Sequence, residues 1–390
     1  MMTKVENIAP SMTRGSVREV ASVFVRLGLL AFGGAAGQIA MMRRELVERR
    51  RWLTEQEFLD LFGIMNLIPG PSATETAIAL GYWRAGWPAL VLGGCLFILP
   101  AMVMILALAW VYVRFGTLPA VQWVLYGVNP IVIAIIADAL WSLGRAAIKN
   151  VWLLLLGAAA LGLYFRGVSI EAILLGTVVL AGITIAIERG KKQGRTAILP
   201  ILGTAAGAVA AGVIPFSLTR LFLTFLKIGA VSYGSGYVLL AFLHTDFVTR
   251  LHWLTGKQLL DAIAAGQITP GPVFASATFV GYITGGFNGA LLATLGIFLP
   301  SFVFVAIVFP LIPKLKGSAS ARTFLNGINA ATMGLMAAVS WQLARGAIVD
   351  LFTALEAAIA FFILLRYKLN AAWLILGGVV AGFVMKMATS

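Results

Sequence analysis

The stretch NLIPGPSATE, residues 66–75, breaks a helix in the middle of an apolar region. Proline has no backbone N–H and clashes with the preceding helical turn, so Pro-Gly-Pro cannot lie inside a helix. The break leaves amide groups without helical partners, and a new helix can begin at Ser72. We therefore predict two helical arms joined at 69–71, with the N-terminus of the second arm facing the break.

The composition places this break in a membrane protein. Hydrophobic residues make up 60% of the 390 positions and charged residues only 11%, whereas a soluble domain has about 25% charged residues. The net charge of +14 comes from basic residues that cluster between apolar runs. This is the loop bias of a membrane protein, so no nucleic-acid partner is expected. One cysteine and two histidines favour neither a metal site nor a cofactor.

Most of the chain consists of apolar runs that are long enough to span a membrane. Two further regions, 16–85 and 217–286, are apolar but interrupted by glycine and proline. The spanning runs are 88–113, 120–144, 150–165, 168–187, 197–214, 287–312, 322–344, 347–365 and 370–388.

The two halves of the chain repeat each other. An offset of 201 aligns 24–71 with 225–272 without a gap, and fourteen of the 48 positions are identical. An offset of 200 then holds onward. Chance similarity between apolar segments matches leucine and alanine, not rarer residues in register, so we infer a duplication. The matched pairs include Pro-Gly-Pro 69–71 with 270–272, Trp52 with Trp253, Asp60 with Asp261, Asn129 with Asn329 and Trp141 with Trp341.

The basic residues of equivalent loops alternate between the halves. The loop at 43–51 contains five arginines, and its counterpart contains only Arg250. Further along, Arg114 stands against Lys314, Lys316 and Arg322. Positive-inside bias gives this alternation if the halves have opposite orientations. We therefore predict an inverted-topology repeat, as in many secondary transporters. The domains are a polar tail at 1–15, a first repeat at 16–190, a basic loop and connector helix at 191–216, and a second repeat at 217–390.

The broken segments are too short to cross the membrane twice. The loops at 43–52 and at Arg84 are both expected on the cytoplasmic side, so 56–84 enters and leaves on one side. Each arm has about 20 Å of helix, against an apolar core of about 30 Å. We predict a re-entrant hairpin there. The breaks FGGAAG (32–37) and YGSG (233–236) indicate further hairpins, with a tilted continuous helix as the alternative.

These breaks are candidates for a small-anion site. Irregular backbone at membrane depth occurs where it lines a cavity or is buried in protein, and a helix N-terminus binds anions. The alternative is that the breaks are kinks that only shape packing. Arg26 and Lys227 are equivalent cations that offset an anion's charge or snorkel to the interface. The predicted anion-binding residues are Arg26, Lys227, Gly33, Gly34, Asn66, Pro69, Gly70, Pro71, Ser72, Thr74, Gln267, Pro270, Gly271 and Pro272.

Acidic and amide residues in the apolar parts are candidates for coupling or gating. Asp60 and Asp261 pair with those cations, carry protons or cap helices. Glu75 has no acidic partner in the second half, so it makes the site asymmetric. Asn129 and Asn329 line the cavity or join helices. Asp138 is a further acid within a span.

Several long motifs resemble the chromate ion transporter family. The first is FGGAAGQIAMMRRELVERRRWLTEQEFLDLFGIMNLIPGPSATETAIALGYWRAG (32–86), followed by FILPA (97–101). In the second half, KIGAVSYGSGYVLL (227–240) and WLTGKQLLDAIAAGQITPGPVFASATFVGY (253–282) resemble the family's second domain. The family often has asparagine where this chain has Ser72, and proline where it has Ala35.

The resemblance implies a two-domain protein of the bacterial inner membrane that exports chromate and confers chromate resistance. Some members of the family are linked to sulfate physiology instead. We predict an all-α polytopic membrane protein with two inverted-topology repeats and Gly/Pro-broken re-entrant helical hairpins. Its function is that of a secondary carrier for tetrahedral oxyanions. The expected partners are chromate or sulfate, membrane lipid and a second copy of the chain. The alternatives are an anion channel, a membrane-embedded reductase and a scaffold subunit.

Overall fold

The computed structural model describes residues 15–32, 34–193, 215–233, 236–311, 319–367 and 369–389. Within these ranges the chain forms fourteen α-helices and no β-strand. The helices are α1 (Val17–Leu30), α2 (Gly34–Arg43), α3 (Glu55–Met65), α4 (Ser72–Phe115), α5 (Pro119–Ala147), α6 (Val151–Phe165), α7 (Ile170–Gln193), α8 (Leu218–Val231), α9 (Leu239–Leu243), α10 (Gly256–Ile268), α11 (Ser276–Val308), α12 (Ala319–Ala347), α13 (Leu351–Tyr367) and α14 (Ala371–Thr389).

Both Pro-Gly-Pro segments separate two helices, as the sequence predicts. The first lies between α3 and α4, and the second lies between α10 and a short 3-10 turn before α11. We call 69–71 the first tip and 270–272 the second tip. Gly70 has φ +134° and Gly271 has φ +105°, a region that side-chain-bearing residues rarely adopt.

The arm after each tip folds back on the helix that follows it. In α4 the residues Ala85 and Gly86 are non-helical, and in α11 the equivalent residues Gly285 and Gly286 are non-helical. A Cβ atom on Gly81 would lie 2.3 Å from the Ala89 carbonyl oxygen. The arm at 72–84 therefore packs closely and antiparallel against the long segment beyond the kink.

The two ends of the first broken segment meet at Glu19. Trp52, just before α3, donates to Glu19 Oε1 over 3.0 Å, and Arg84 donates to Glu19 Oε2 over 3.0 Å. The Arg84 guanidinium also lies 5.1 Å from the Trp52 ring. In the second half, Phe216 packs on Trp253 with 4.9 Å between ring centroids and also contacts Gly285.

The chain before α3 also doubles back. A π-helical turn, Arg44–Arg49, follows α2, and its Glu45 carboxylate interacts electrostatically with Arg26 of α1. In the second half, Lys227 of α8 contacts Asp246 of the turn His244–Arg250. In each half, the π-helical turn that follows the break therefore contacts the helix that precedes it. Residues 234–235 of the YGSG break lie outside the described residues. Gly33 and the run 197–214 lie outside the described residues.

The halves pack into each other through their long helices. At the centre, α4 contacts α1 and α11, and α11 contacts α8. Of the other helices, α5 packs on α13 and α14 of the second half, whereas α12 packs on α6 and α7 of the first half. Within the described ranges, four helical segments are long and apolar enough to span a membrane: Ser72–Phe115, Pro119–Ala147, Val273–Val308 and Ala371–Ala388.

Large apolar side chains cover the outside of these helices. Among the most exposed are Trp152, Phe287, Trp341 and Trp373, each at least 57% exposed. Lipid tails can contact such a surface without penalty, whereas water cannot. Helical content, apolar spans and this surface together agree with a membrane protein.

Candidate functional site

Each tip is hydrogen-bonded to the break of the opposite half. The Gly70 N–H donates to the Ser232 carbonyl over 2.7 Å, and the Gly271 N–H donates to the Ala31 carbonyl over 3.1 Å. Ala31 and Ser232 are equivalent positions, so the two bonds are related by the repeat. The Gln38 amide also donates to the Gly271 carbonyl. The tips therefore lie where the two halves meet.

Because of these bonds, only some of the amides near the tips remain available to an anion. The central amide of each tip already has a carbonyl partner. The amides of Ser72, Ala73 and Thr74 belong to the first turn of α4, where a helix offers no internal acceptor. Pro71 precedes that turn and supplies no side-chain cap. The N-terminus of α4 is thus the part of the first tip that can bind an anion.

Polar side chains without partners gather around the first tip. Among the described residues, the buried hydroxyls of Thr74, Ser232 and Ser301 make no hydrogen bond, and neither does the Glu75 carboxyl. All four side chains are at most 1% exposed. Glu75 and Ser301 lie against Gly70, the Ser232 carbonyl bonds to it, and Thr74 is in the first turn of α4. Because buried polar groups in proteins almost always have partners, these orphaned groups indicate a site for a polar ligand at the first tip.

Glu75 lies directly against the tip backbone. A Cβ atom on Gly70 would be 2.1 Å from Glu75 Oε1 and 2.7 Å from Ser301 Oγ. Only glycine fits between them. The Ser301 hydroxyl is close to the carboxyl and acts on it, but the two groups lack the geometry of a hydrogen bond.

The second tip has an apolar version of this arrangement. A Cβ atom on Gly271 would be 2.6 Å from the Cβ of Ala101, and Ala101 is the equivalent of Ser301. Ala275 stands where the first half has Glu75. The repeat has therefore kept the backbone of the two tips and changed their side chains.

A separate polar group lies near the second tip. Gln267, which is 8% exposed, contacts the Tyr237 hydroxyl, and Asp138 acts electrostatically on the same tyrosine. Gly34 begins α2 with φ +67°, and a Cβ atom there would be 4.0 Å from the Tyr237 oxygen. Of the predicted residues, Gln267 and Gly34 therefore lie together. Asn66, in contrast, is exposed and donates to the Phe62 carbonyl of its own helix.

Arg26 and Lys227 line two cavities whose walls do not include the tips. Arg26 shares a cavity of about 350 Å³ with Arg44, Glu45 and Arg49. Lys227 shares one of about 440 Å³ with Arg220 and Arg250.

Lys227 is held there by carboxylates: its Nζ lies 2.6 Å from Glu171 Oε1 and 2.7 Å from Asp246 Oδ2. Asp246 is the equivalent of Glu45, so each half carries a cation and an acid at matching positions. The suggested pairing of Lys227 with Asp261 is therefore not found.

Asp60 and Asp261 have different surroundings. Asp60 is half-buried and accepts from Gln56 over 2.8 Å. Asp261 is 2% exposed, accepts from the Tyr112 hydroxyl over 2.8 Å and lies beside Asn129. Asn329, the counterpart of Asn129, is half-buried and its carbonyl accepts from Thr332. Of these two aspartates, it is Asp261 that lies in a buried polar cluster between the halves.

Several residues of the site were not expected from the sequence. Ser301 and Tyr112 belong to no quoted motif, and Ser232 lies in the motif 227–240 without having been singled out. Each of the three contacts the other half of the chain. The signal for the acid next to Lys227 was present, since Glu45 and Asp246 match at an offset of 201 as acid against acid. Counting only identical residues misses that match.

Paired helix breaks around buried polar groups, in a duplicated and strongly apolar helical protein, are typical of secondary membrane transporters. The model of the family described as chromate transporter matches residues 18–187 and 219–383. The chain belongs to this family.

Relatives with assigned names agree with the match. A chromate transport protein of Cupriavidus metallidurans is 34% identical over 383 residues, which cover 96% of this chain and 94% of the relative. A chromate transport protein of Pseudomonas aeruginosa is 31% identical and covers 97% of this chain and 94% of its own. YwrA of Bacillus subtilis, an uncharacterized transporter, is 28% identical over 33% of this chain and 72% of its own length. No solved structure shows a significant match.

Proposed function

We propose that the protein carries tetrahedral oxyanions, chromate foremost, out of the bacterial cell across the inner membrane and so confers chromate resistance. Membership of the chromate transporter family supports the substrate. The observation that carries the site is the group of buried side chains without partners around the first tip: Thr74, Glu75, Ser232 and Ser301.

In this proposal the oxyanion binds at the N-terminus of α4. The amides of Ser72, Ala73 and Thr74 donate to its oxygens, as do the hydroxyls of Thr74 and Ser232. The helix dipole favours its negative charge. Such a site needs no buried cation. Because Ala101 and Ala275 make the second tip apolar, one ion binds per molecule.

The proposed topology is an inverted repeat with re-entrant hairpins. The meeting of Trp52 and Arg84 at Glu19 supports a segment that enters and leaves on one side. The alternation of basic residues between the halves supports opposite orientations. The hydrogen bonds from Gly70 to Ser232 and from Gly271 to Ala31 join each tip to the other half. Rocking of the halves around this junction would expose the ion to each side in turn.

Arg26 and Lys227 serve the anion at a distance from the tip. In an inverted repeat, their two cavities open towards opposite sides of the membrane. Clusters of cations at both openings raise the local concentration of anions. Each cation also has an acid beside it, which limits the affinity and lets the anion leave. The inner-membrane location and a homodimeric assembly stay predictions.

Everted membrane vesicles with labelled chromate test this function. Expression of the protein should give saturable uptake that excess sulfate reduces by competition. Uptake that does not saturate would contradict a carrier and favour a channel. The Ser232→Ala variant should lower uptake at limiting chromate at least about tenfold, because a hydrogen bond to a charged group contributes about 1.5–3 kcal/mol. Ser340→Ala on α12, whose hydroxyl bonds to the Met336 carbonyl of its own helix, is the matched control and should leave uptake unchanged.

A further inference from the structure

The Glu75 side chain is an acid that lies against the first tip. It is 0% exposed and neither of its oxygens has a hydrogen-bond partner among the described residues. Its Oε1 atom lies against Gly70, at the same tip as the first-turn amides of α4. A carboxyl in this place faces the ion that the proposed function puts there.

Among the residues that the structure describes, no positive charge lies beside Glu75. Ser301 of α11 and Tyr233, which follows α8, are the polar side chains that interact with it. No lysine or arginine of the described residues lies within ion-pair distance of the Glu75 carboxyl. This includes the parts of α1 and α3 that pack on α4. An ionised carboxylate in an apolar interior is strongly unfavourable without a partner. Glu75 therefore ionises only where water reaches the carboxyl, and it must take up a proton before an occupied site can close.

An anion at the tip makes that requirement stronger. An ionised Glu75 would repel a dianion and compete with it for the helix N-terminus. A protonated Glu75 has no charge and offers one O–H donor. Proton binding and anion binding therefore favour each other, and linkage makes this effect reciprocal.

We propose that Glu75 binds one proton together with each oxyanion, so that the carrier moves the two in the same direction. This inference rests on the proposed function. The balance is simple: the carboxylate takes one proton from the adjoining water when the anion binds and returns it when the anion leaves. The number is one because the second tip has Ala275 and Ala101 where the first tip has Glu75 and Ser301. A dianion that moves with one proton carries a net charge of −1.

Proton uptake on chromate binding tests the proposal directly. Purified full-length protein in weakly buffered detergent is mixed with chromate at several alkaline pH values, where chromate itself stays a dianion, and a pH-indicator dye reports protons. About one proton per bound chromate is expected for the wild type at the pH values that span the titration. Over the same interval, the chromate affinity of the wild type should fall by up to tenfold for each unit that the pH rises.

Two variants make the assignment specific. Glu75→Gln stays neutral, so it should bind chromate with an affinity that changes less than about twofold with pH and without proton uptake. Glu356→Gln on α13 is the matched control, because Glu356 also has a buried carboxyl without a partner. It should take up protons as the wild type does.

If the wild type binds chromate without proton uptake at any pH, the inference about Glu75 is wrong and the proposed function still stands. This outcome does not depend on whether the Glu75 variant folds. Proton uptake that persists in Glu75→Gln would also overturn the inference. If the wild type binds no chromate, the proposed function fails and the inference fails with it.

Discussion

Replacing Gly70 with alanine perturbs the first tip at its tightest point. The backbone at Gly70 has φ +134°, and residues held in such regions cost about 1–3 kcal/mol. The new methyl group would lie 2.1 Å from Glu75 Oε1 and 2.7 Å from Ser301 Oγ, and forcing extra atoms into a packed interior costs a further 1–3 kcal/mol or so. We therefore expect Gly70→Ala to lose about 2–6 kcal/mol of stability.

The assay is thermal unfolding of the purified protein together with chromate uptake into everted vesicles. The variant should unfold at a clearly lower temperature and take up chromate more slowly than the wild type, because the new methyl group displaces Glu75 and Ser301 from the first tip.

Gly63→Ala in α3 is the control. A Cβ atom there meets nothing within 4 Å, and alanine in a helix is favoured over glycine by about 0.5–1 kcal/mol. Wild-type stability and transport in Gly70→Ala would refute the geometry of the tip.

Two other predictions concern the basic cavities. Lys227→Met should destabilise the protein by about 1–3 kcal/mol, because Asp246, whose side chain is 4% exposed, keeps only Arg250 as an ion-pair partner among the described residues. Chemical denaturation measures this change. An unchanged denaturation midpoint would show that the ion pair contributes nothing to stability. At Glu45, the hydrogen bond from Arg50 holds the pKa of the carboxyl below its usual value. Its contribution is therefore present above the ordinary glutamate pKa of about 4.3 and is lost as pH falls through the lower folded value. In unfolding curves recorded at several pH values, Glu45→Gln should lose less stability than the wild type as pH falls. An equal loss of stability in both proteins would contradict the assignment.

The sequence was sufficient for the helices and their breaks because those depend on local chemistry. Runs predicted at 120–144, 150–165 and 370–388 appear as Pro119–Ala147, Val151–Phe165 and Ala371–Thr389. Pro-Gly-Pro stops a helix wherever it lies, so the break between Met65 and Ser72 follows from three residues.

The partners of the buried side chains could not be obtained in the same way. Lys227 was a visible cation, but the choice of Asp246 over Asp261 depends on how the chain doubles back after α8. Ser301 reaches Glu75 from the other half, about 230 residues further along the chain. Such contacts depend on packing between α4 and α11, which no spacing in the sequence encodes. The matched acids Glu45 and Asp246 show that chemically similar residues at equivalent positions of the repeat, and not only identical ones, mark equivalent contacts.

The measurement that tests the central claim most directly is chromate affinity in Thr74→Val. Thr74 is 0% exposed and its hydroxyl has no partner, so its loss should leave stability unchanged or slightly higher. If the oxyanion binds at the N-terminus of α4, affinity should fall about tenfold or more, because one hydrogen bond to a charged group is lost. Thr278→Val in α11, where the hydroxyl bonds to Thr294 over 2.7 Å, should leave affinity unchanged. Wild-type chromate affinity in Thr74→Val would contradict an oxyanion site at the first tip.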